Sequence, residues 1–281
     1  MILSTSAVGI FIGFLGVKGL AALNLRLFFG EASPWQVLLG TQPAVGGLWP
    51  ACLGTIYLVV LSSLLAIPLG IGSGIYLAQY ASPGPKRLFG FAVDLLAGIP
   101  SILMGLFGFA LILFLRKTLL PQANTGLLLS GGCLALLVLP YLILTTQTAL
   151  EGLPFTLQMS GLSLGFTPWQ NLVHILIPAA SRGILSGIIL AVGRAAEDTA
   201  VILLTGVVAN AGAPQSLTDK FTALPFHIYY LAAEHRTADE LTQAFGAALI
   251  LLLLTGSLYA LAYGLHAGIA KKWEQAPIIR P

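Results

Sequence analysis

Four ionisable side chains fall inside the apolar stretches of this sequence: Asp94, Arg194, Glu197 and Asp198. A charge at the middle of a bilayer costs roughly 2.5–3.5 kcal/mol even on the lenient insertion scale, so each is a functional hypothesis by default. On a continuous helix Arg194 lies one turn from Glu197 (i+3) and Asp198 (i+4), close enough to pair on one face. Two readings stand side by side. One is a buried ion pair that only fixes helix packing. The other is an anion pathway. In it the planar guanidinium of Arg194 lends charge to oxyanion oxygens, and the neighbouring carboxylates keep it from trapping the anion. An acid at such a site also accepts a hydrogen bond from a protonated phosphate oxygen, which sulfate at neutral pH does not offer. For Asp94, packing and pathway roles carry equal weight.

Other chemistry is missing. No Gly-x4-Gly-Lys-Ser/Thr loop occurs, and glycines 70, 72 and 74 lie in an apolar run that fits no nucleotide fingerprint. There is no nucleophile–base–acid set, so no catalytic residue is assigned and the chain is not read as an enzyme. His174, His227, His235 and His266 lack metal-ligand spacing, so neither metal nor cofactor is expected on this chain. Cys52 and Cys133 sit in apolar runs and read as packing residues.

The elements that must position these residues are membrane spans. Only 8% of the 281 residues are charged, 57% are hydrophobic and the mean hydropathy is +0.93. So few charges cannot cover a water-soluble fold, which makes this a polytopic all-α membrane protein. The net charge of +3 contains no basic block, which argues against nucleic acid as a partner. Six spans are expected, at 4–23, 53–80, 88–115, 126–150, 183–209 and about 243–268. The first is read as a span, not a cleaved leader, because no positive charge precedes it and it exceeds the usual apolar length of about 7–15 residues. In the third, Gly98-Ile99-Pro100 breaks the hydrogen-bond ladder at membrane depth. Residues 24–48 read as a loop. Within the polar stretch 210–242, the aromatic run Leu224–Ala232 suits a short interfacial helix. Lys86, Arg87, Arg182, Lys271, Lys272 and Arg280 flank one side, against five basic residues on the other, which does not orient the protein.

The segment 151–182 is too broken by Gly and Pro to be one span. Gly165 can take the left-handed conformation that ends a helix, Thr167 can cap the next, and Pro168 suits its first position. Pro178 is expected to interrupt that second helix. The outcome is two short helices at a sharp corner, read either as an ordinary amphipathic loop or as a docking knob.

Gly165, Ile175 and Pro178 stand at the spacing of the "EAA" coupling motif of ABC-importer permeases: Gly, nine residues, Ile, two residues, Pro. Residues 54–81, 93–108, 139–150 and 224–232 resemble, in order and spacing, the PstA-type phosphate-importer permeases, from Leu48 onward. The resemblance implies the type I ABC-importer permease fold, as a single transmembrane domain over residues 1–281 with its core at about 48–268. It implies a cytoplasmic coupling loop, 151–182, that docks into an ATPase groove through Gly165, Thr167, Pro168, Trp169, Ile175 and Pro178. Implied partners are two ATPase subunits that use the ATP, a second homologous permease, an extracytoplasmic phosphate-binding protein and the lipid bilayer. Implied location is the cytoplasmic (inner) membrane, multi-pass, with both termini cytoplasmic. The substrate pathway would involve Arg194, Glu197, Asp198, Thr199, Asp94, Thr145 and Thr146.

The sequence departs from the family in three places. Met159-Ser160-Gly161 replaces Glu-Ala-Ala. Arg194-Ala195-Ala196-Glu197-Asp198-Thr199-Ala200-Val201 stands where the family has Arg-Ala-x-Gly-Glu-Thr-Ala-Pro. Leu144-Thr145-Thr146-Gln147 stands for Arg-Thr-Thr-Glu. The cargo expected is inorganic phosphate. The competing readings are a permease for another oxyanion such as phosphite or tungstate, an ion-coupled secondary transporter with Asp94 or Asp198 as proton site, and a non-transporting scaffold.

Overall fold

A computed structural model describes residues 2–39, 44 and 46–275. Their regular structure is helical, with one isolated parallel bridge, Val207–Phe221, among the described residues. The order is α1 (Ile2–Ala22), α2 (Leu25–Phe29), α3 (Pro34–Leu38), α4 (Trp49–Ile75), α5 (Pro83–Gly98), α6 (Ser101–Thr118) and α7 (Leu127–Glu151). It continues with α8 (Phe155–Ser163), α9 (Pro168–Asn171), α10 (Ile177–Glu197), α11 (Ala200–Thr205), α12 (Leu224–Glu234) and α13 (Ala238–Gln275). Wide π-helical turns, Tyr76–Tyr80 and Leu172–Leu176, extend α4 and join α9 to α10.

Among the described residues, six helices are long and apolar enough to cross a membrane: Ser4–Ala22, Trp49–Tyr80, Ser101–Thr118, Leu127–Glu151, Pro168–Glu197 and Ala238–Gly264. The number agrees with the sequence, but two boundaries do not. The expected third span, 88–115, is divided at Ile99–Pro100, and only α6 has the length and apolarity to cross. The expected fifth span, 183–209, is displaced. Its helix already runs from Pro168 and stops at Glu197.

Both ends of that fifth helix have local causes. Pro178 does not break it, because the π turn Leu172–Leu176 comes just before. A proline removes one N–H and pushes its ring at the preceding turn, and a wider turn makes room for both effects. At the other end, Asp198 Oδ1 accepts a hydrogen bond from the Val201 N–H at 2.8 Å. A short polar side chain that bonds forward to the backbone competes with helix continuation. The ladder therefore stops, and α11 starts afresh. The 24–48 loop likewise holds two short helices, α2 and α3, the former capped by Asn24. Arg280, one of the flanking charges counted for orientation, lies outside the described residues, as do the side chains of Lys271 and Lys272.

The chain divides into two compact units, each assembled from three stretches. The first comprises Met1–Ser62, Pro100–Leu134 and Ala196–Gly256. Its core gathers Ala22, Leu27, Leu48, Ala51, Cys52, Leu224, Ala247 and Ile250. Thr55, fully buried, donates to the Ala51 carbonyl at 2.8 Å and accepts from the Leu224 N–H at 2.9 Å, which seats the start of α12 on α4. Leu224, Pro225 and Leu231 of α12 face inward and Tyr229 faces out. α11 packs along α6, and the Thr205 hydroxyl meets that of Ser130 at 2.9 Å. Cys52 and Cys133 are buried free thiols. In the following loop, the Asp219 carboxylate accepts from the Ser216 hydroxyl (2.6 Å), the Ser216 N–H (2.8 Å) and the Gln215 N–H (3.1 Å). The Ser216 hydroxyl and amide, together with the Gln215 amide, hold that carboxyl below the usual carboxylate range.

The second unit comprises Ser63–Ile99, Ala135–Ala195 and Ser257–Pro281. α7 lies at its centre. Gly70 and Gly74 of α4 abut Leu142 and Thr146, and Gly183 and Gly187 of α10 abut Ala149 and Thr145. Two small-x3-small pairs thus let two helices approach α7 at van der Waals range, the packing that replaces hydrophobic collapse in a lipid environment. Leu150, Leu172, Leu176, Ala180 and Ile184 bury the junction of α7 with the α9–α10 helix. α5 is joined to α7 by Val93, which packs with Ile143 and Leu77.

Candidate functional site

The corner between α8 and α9 is built by three adjacent backbone devices. Gly165 has φ +83°, the left-handed region that a side chain disfavours. The Phe166 N–H then reaches back to the Gly161 carbonyl (2.9 Å) and the Gly165 N–H to the Leu162 carbonyl (3.0 Å), which closes α8 with the paired bonds of a Schellman end. Next, Thr167 and Gln170 form a reciprocal capping box. The Gln170 N–H donates to the Thr167 hydroxyl (3.3 Å) and the Thr167 N–H to Gln170 Oε1 (2.9 Å), with Pro168 in the first turn. Satisfying the orphan carbonyls that end α8 and an orphan N–H that starts α9 leaves little conformational freedom at the turn.

The two arms of the corner are fastened together. Asn171 Nδ2 donates to the Gln158 carbonyl at 2.8 Å, and the Asn171 side chain fills the space over Gly161, where a Cβ would overlap it. Ile175 also lies over Gly161 and packs on the Leu150–Leu172–Leu176 core. These contacts keep the tip rigid while its outer surface stays apolar. Phe155, Leu164 and Trp169 are 72%, 77% and 66% exposed, and no Asp, Glu, Lys or Arg occurs between Glu151 and Arg182. Thr167 and Pro168 are exposed at the corner, and Pro178 is half-buried behind it. So rigid and apolar a tip can enter a complementary groove without paying for ordering on docking.

The candidate pathway residues divide between the units. In the second, Arg194 is exposed on the last turn of α10, and Asp94 is exposed on α5 beside the packed Val93. Thr145 and Thr146 lie against glycines of neighbouring helices. The Thr145 hydroxyl donates to the Tyr141 carbonyl at 2.6 Å with Gly187 against it. Thr146 is fully buried against Gly74, and its hydroxyl has no hydrogen-bond partner among the described residues. In the first unit, Glu197 is exposed, Asp198 is 5% exposed and caps α11, and Thr199 is half-buried at the α11 entry. Arg194 and Glu197 lie on α10, and Asp198 follows directly after its last residue.

Three features carried no signal in the sequence. The Lys86 ammonium binds Glu151 Oε1 at 2.7 Å, and Gln147 Nε2 binds the same oxygen at 2.9 Å. The 65-residue separation of Lys86 and Glu151 hides this pair from any local pattern. The Asn171–Gly161 contact is equally non-local. A cavity of about 540 Å³ in the first unit is lined by Trp49, Asn210, Gln215, Thr222 and His227 among others. Burial there pushes the His227 imidazole below its usual value.

Residues 66–275 match the family described as binding-protein-dependent transport system inner membrane component. The chain is 31% identical over 223 residues to the phosphate transport system permease protein PstA of Mycobacterium leprae, across 79% of this chain and 71% of that one. With the PstA protein of Haemophilus influenzae the identity is 32% over 238 residues, across 84% and 79% of the two chains. A solved bacterial ABC transporter involved in the import of the acidic polysaccharide alginate shares the fold at TM-score 0.63 and 16% identity, across 95% of this chain and 96% of that one.

Proposed function

The chain belongs to the family of binding-protein-dependent transport inner-membrane components, and from that premise we propose that it is the permease subunit of an ATP-driven importer of inorganic phosphate. It is a multi-pass membrane protein with six membrane-length helices. In this reading 151–182 faces the cytoplasm, as do both termini. Two ATPase subunits hydrolyse the ATP, a second homologous permease completes the passage, and an extracytoplasmic binding protein delivers the anion.

The observation that carries the reading is the corner at Gly165–Thr167. It is rigid by virtue of the Schellman end and capping box, apolar at its tip, and continuous with the helix that bears Arg194. Force applied at Trp169 therefore travels along one helical body, through the π turn, to the guanidinium at the last turn of α10. Arg194 supplies the planar donor set that suits phosphate oxygens. Exposed Glu197 keeps that attraction shallow enough for release. Thr145 and Thr146 act in this scheme through helix packing, since both face glycines of neighbouring helices.

A second reading, a permease for another oxyanion such as phosphite or tungstate, is favoured by one observation. Leu144 and Gln147 stand where the resembled family carries an Arg and a Glu, and the Gln147 amide is engaged with Glu151. Uptake of labelled phosphate by the complex reconstituted in proteoliposomes, with phosphate, phosphite, sulfate and tungstate as competitors, separates the two. Phosphate uptake blocked by cold phosphate and not by sulfate is the expected result. Uptake of a different labelled oxyanion that excess phosphate leaves untouched would remove phosphate from the assignment.

A further inference from the structure

We propose that Lys86 and Glu151, with Gln147 behind them, are positioning residues that carry movement of the α8–α9 corner to α5; this rests on the reading of 151–182 as the ATPase docking segment. Glu151 is the last residue of α7, and α8 begins four residues later. Its Oε1 receives the Lys86 ammonium at 2.7 Å and the Gln147 amide at 2.9 Å. Gln147 precedes Glu151 by one helical turn, so its bond fixes the carboxylate rotamer from within α7. Lys86 lies in the first turn of α5, just after the Ala81–Ser82 link from the end of α4.

α5 is otherwise thinly attached. Val93 is the one buried side chain that its own helix contributes, and it packs against Ile143 and Leu77. Along α5, Lys86 and Val93 are seven residues apart. Along α7, Glu151 and Ile143 are eight apart in the opposite direction. The two helices thus run antiparallel and are pinned at two levels about two turns apart. Only the Lys86–Glu151 level adjoins the corner.

The exposure of this pair argues for a coupling role over a stabilising one. The two side chains are 41% and 38% exposed, and exposed ion pairs contribute little to stability. What a short, buttressed pair supplies is geometry: it requires the α5 start to follow the α7 end. Beyond its pinned turns α5 carries Asp94 and ends at the Ile99–Pro100 break, a point in the ladder without a proline N–H where a helix direction can change.

The test uses the full complex in proteoliposomes, with anion transported and ATP hydrolysed measured together. Variants are Lys86→Met, Glu151→Gln, the reversals Lys86→Glu and Glu151→Lys, and the double exchange. Each single change is expected to lower anion transported per ATP by roughly threefold or more, within the range of residues that couple distant sites. The double exchange is expected to recover most of it, the signature of a direct interaction. Single variants that transport with wild-type stoichiometry overturn the proposal. So does a double exchange no better than its parents. If a reversal fails to insert, the neutral variants decide by the same ratio. A wild-type complex that never binds an ATPase overturns the docking reading itself, whereas bound ATPase with unchanged ratios in every variant overturns only the role given to this pair.

Discussion

Gly187 of α10 approaches Thr145 of α7 so closely that a Cβ placed on it would overlap the threonine hydroxyl. The Thr145 hydroxyl is itself fixed by the Tyr141 carbonyl at 2.6 Å, so it has nowhere to retreat without losing a bond. Gly187→Ala should therefore cost about 1–3 kcal/mol, the usual penalty for overpacking. Thr145→Ala in the same background should return part of the loss by removing the nearest atom. Thermal unfolding of the detergent-solubilised protein, followed by loss of the monodisperse peak, measures both. An unchanged midpoint in Gly187→Ala would mean that α7 and α10 are not in contact there.

Gly165→Val places a β-branched residue at φ +83°, a conformation worth about 1–3 kcal/mol of strain. Membrane insertion should remain normal, because no core residue changes, while transport uncouples from ATP hydrolysis. Gly165→Asn should retain coupling, since asparagine tolerates the left-handed region. Binding-protein-stimulated ATP hydrolysis at the wild-type rate in Gly165→Val would show that the corner does not dock.

Arg194→Ala should reduce anion uptake on the order of tenfold or more, as hydrogen bonds from a charged donor are worth about 1.5–3 kcal/mol each. Arg194→Lys should recover only part, having the charge without the planar fork. Initial uptake rates in proteoliposomes report the effect. Full uptake in Arg194→Ala is what a purely structural arginine, or a scaffold protein, would give.

Asp219 provides the acid-side prediction. The Ser216 hydroxyl and amide, together with the Gln215 amide, lower its folded pKa beneath the unfolded value of about 3.9. The sign is that of a carboxylate favoured in its charged form. Its support for the 206–223 loop is complete above the unfolded value and is lost as pH falls through the lower, folded one. Hydrogen exchange at the Gln215 and Ser216 amides, corrected for intrinsic rates, should accelerate across that acidic window. Asp219→Ala should exchange fast throughout, with no acid step.

Local chemistry made much of this molecule legible in advance. Gly165, Thr167 and Pro168 act within a few residues of themselves, so the corner could be inferred from residue type alone. The same holds for Gly98-Ile99-Pro100, where the missing N–H marks the break. The displaced fifth helix shows where such reasoning stops. Pro178 has the sequence signature of an interruption, but a wide turn upstream absorbs it, and nothing in Leu172–Leu176 announces that turn. Asp198 was legible as a charge in an apolar run, yet its hydrogen bond to Val201 makes it a helix starter, a choice the backbone settles. The Lys86–Glu151 pair and the Asn171–Gly161 contact depend on which helices meet, and that is a property of the whole packing arrangement.

The π turn at Leu172–Leu176 has one further consequence. Relative to a regular helix it stores one surplus residue, and each residue advances a helix by about 100°. Trp169 and Arg194 sit on opposite sides of that insertion, so it sets the azimuth between them. Winding the same residues as a regular helix would leave composition, length and apolarity untouched, yet would swing the tip of the elbow by more than a quarter revolution about the shaft. The aim of this helix is thus held by a counting irregularity in its backbone.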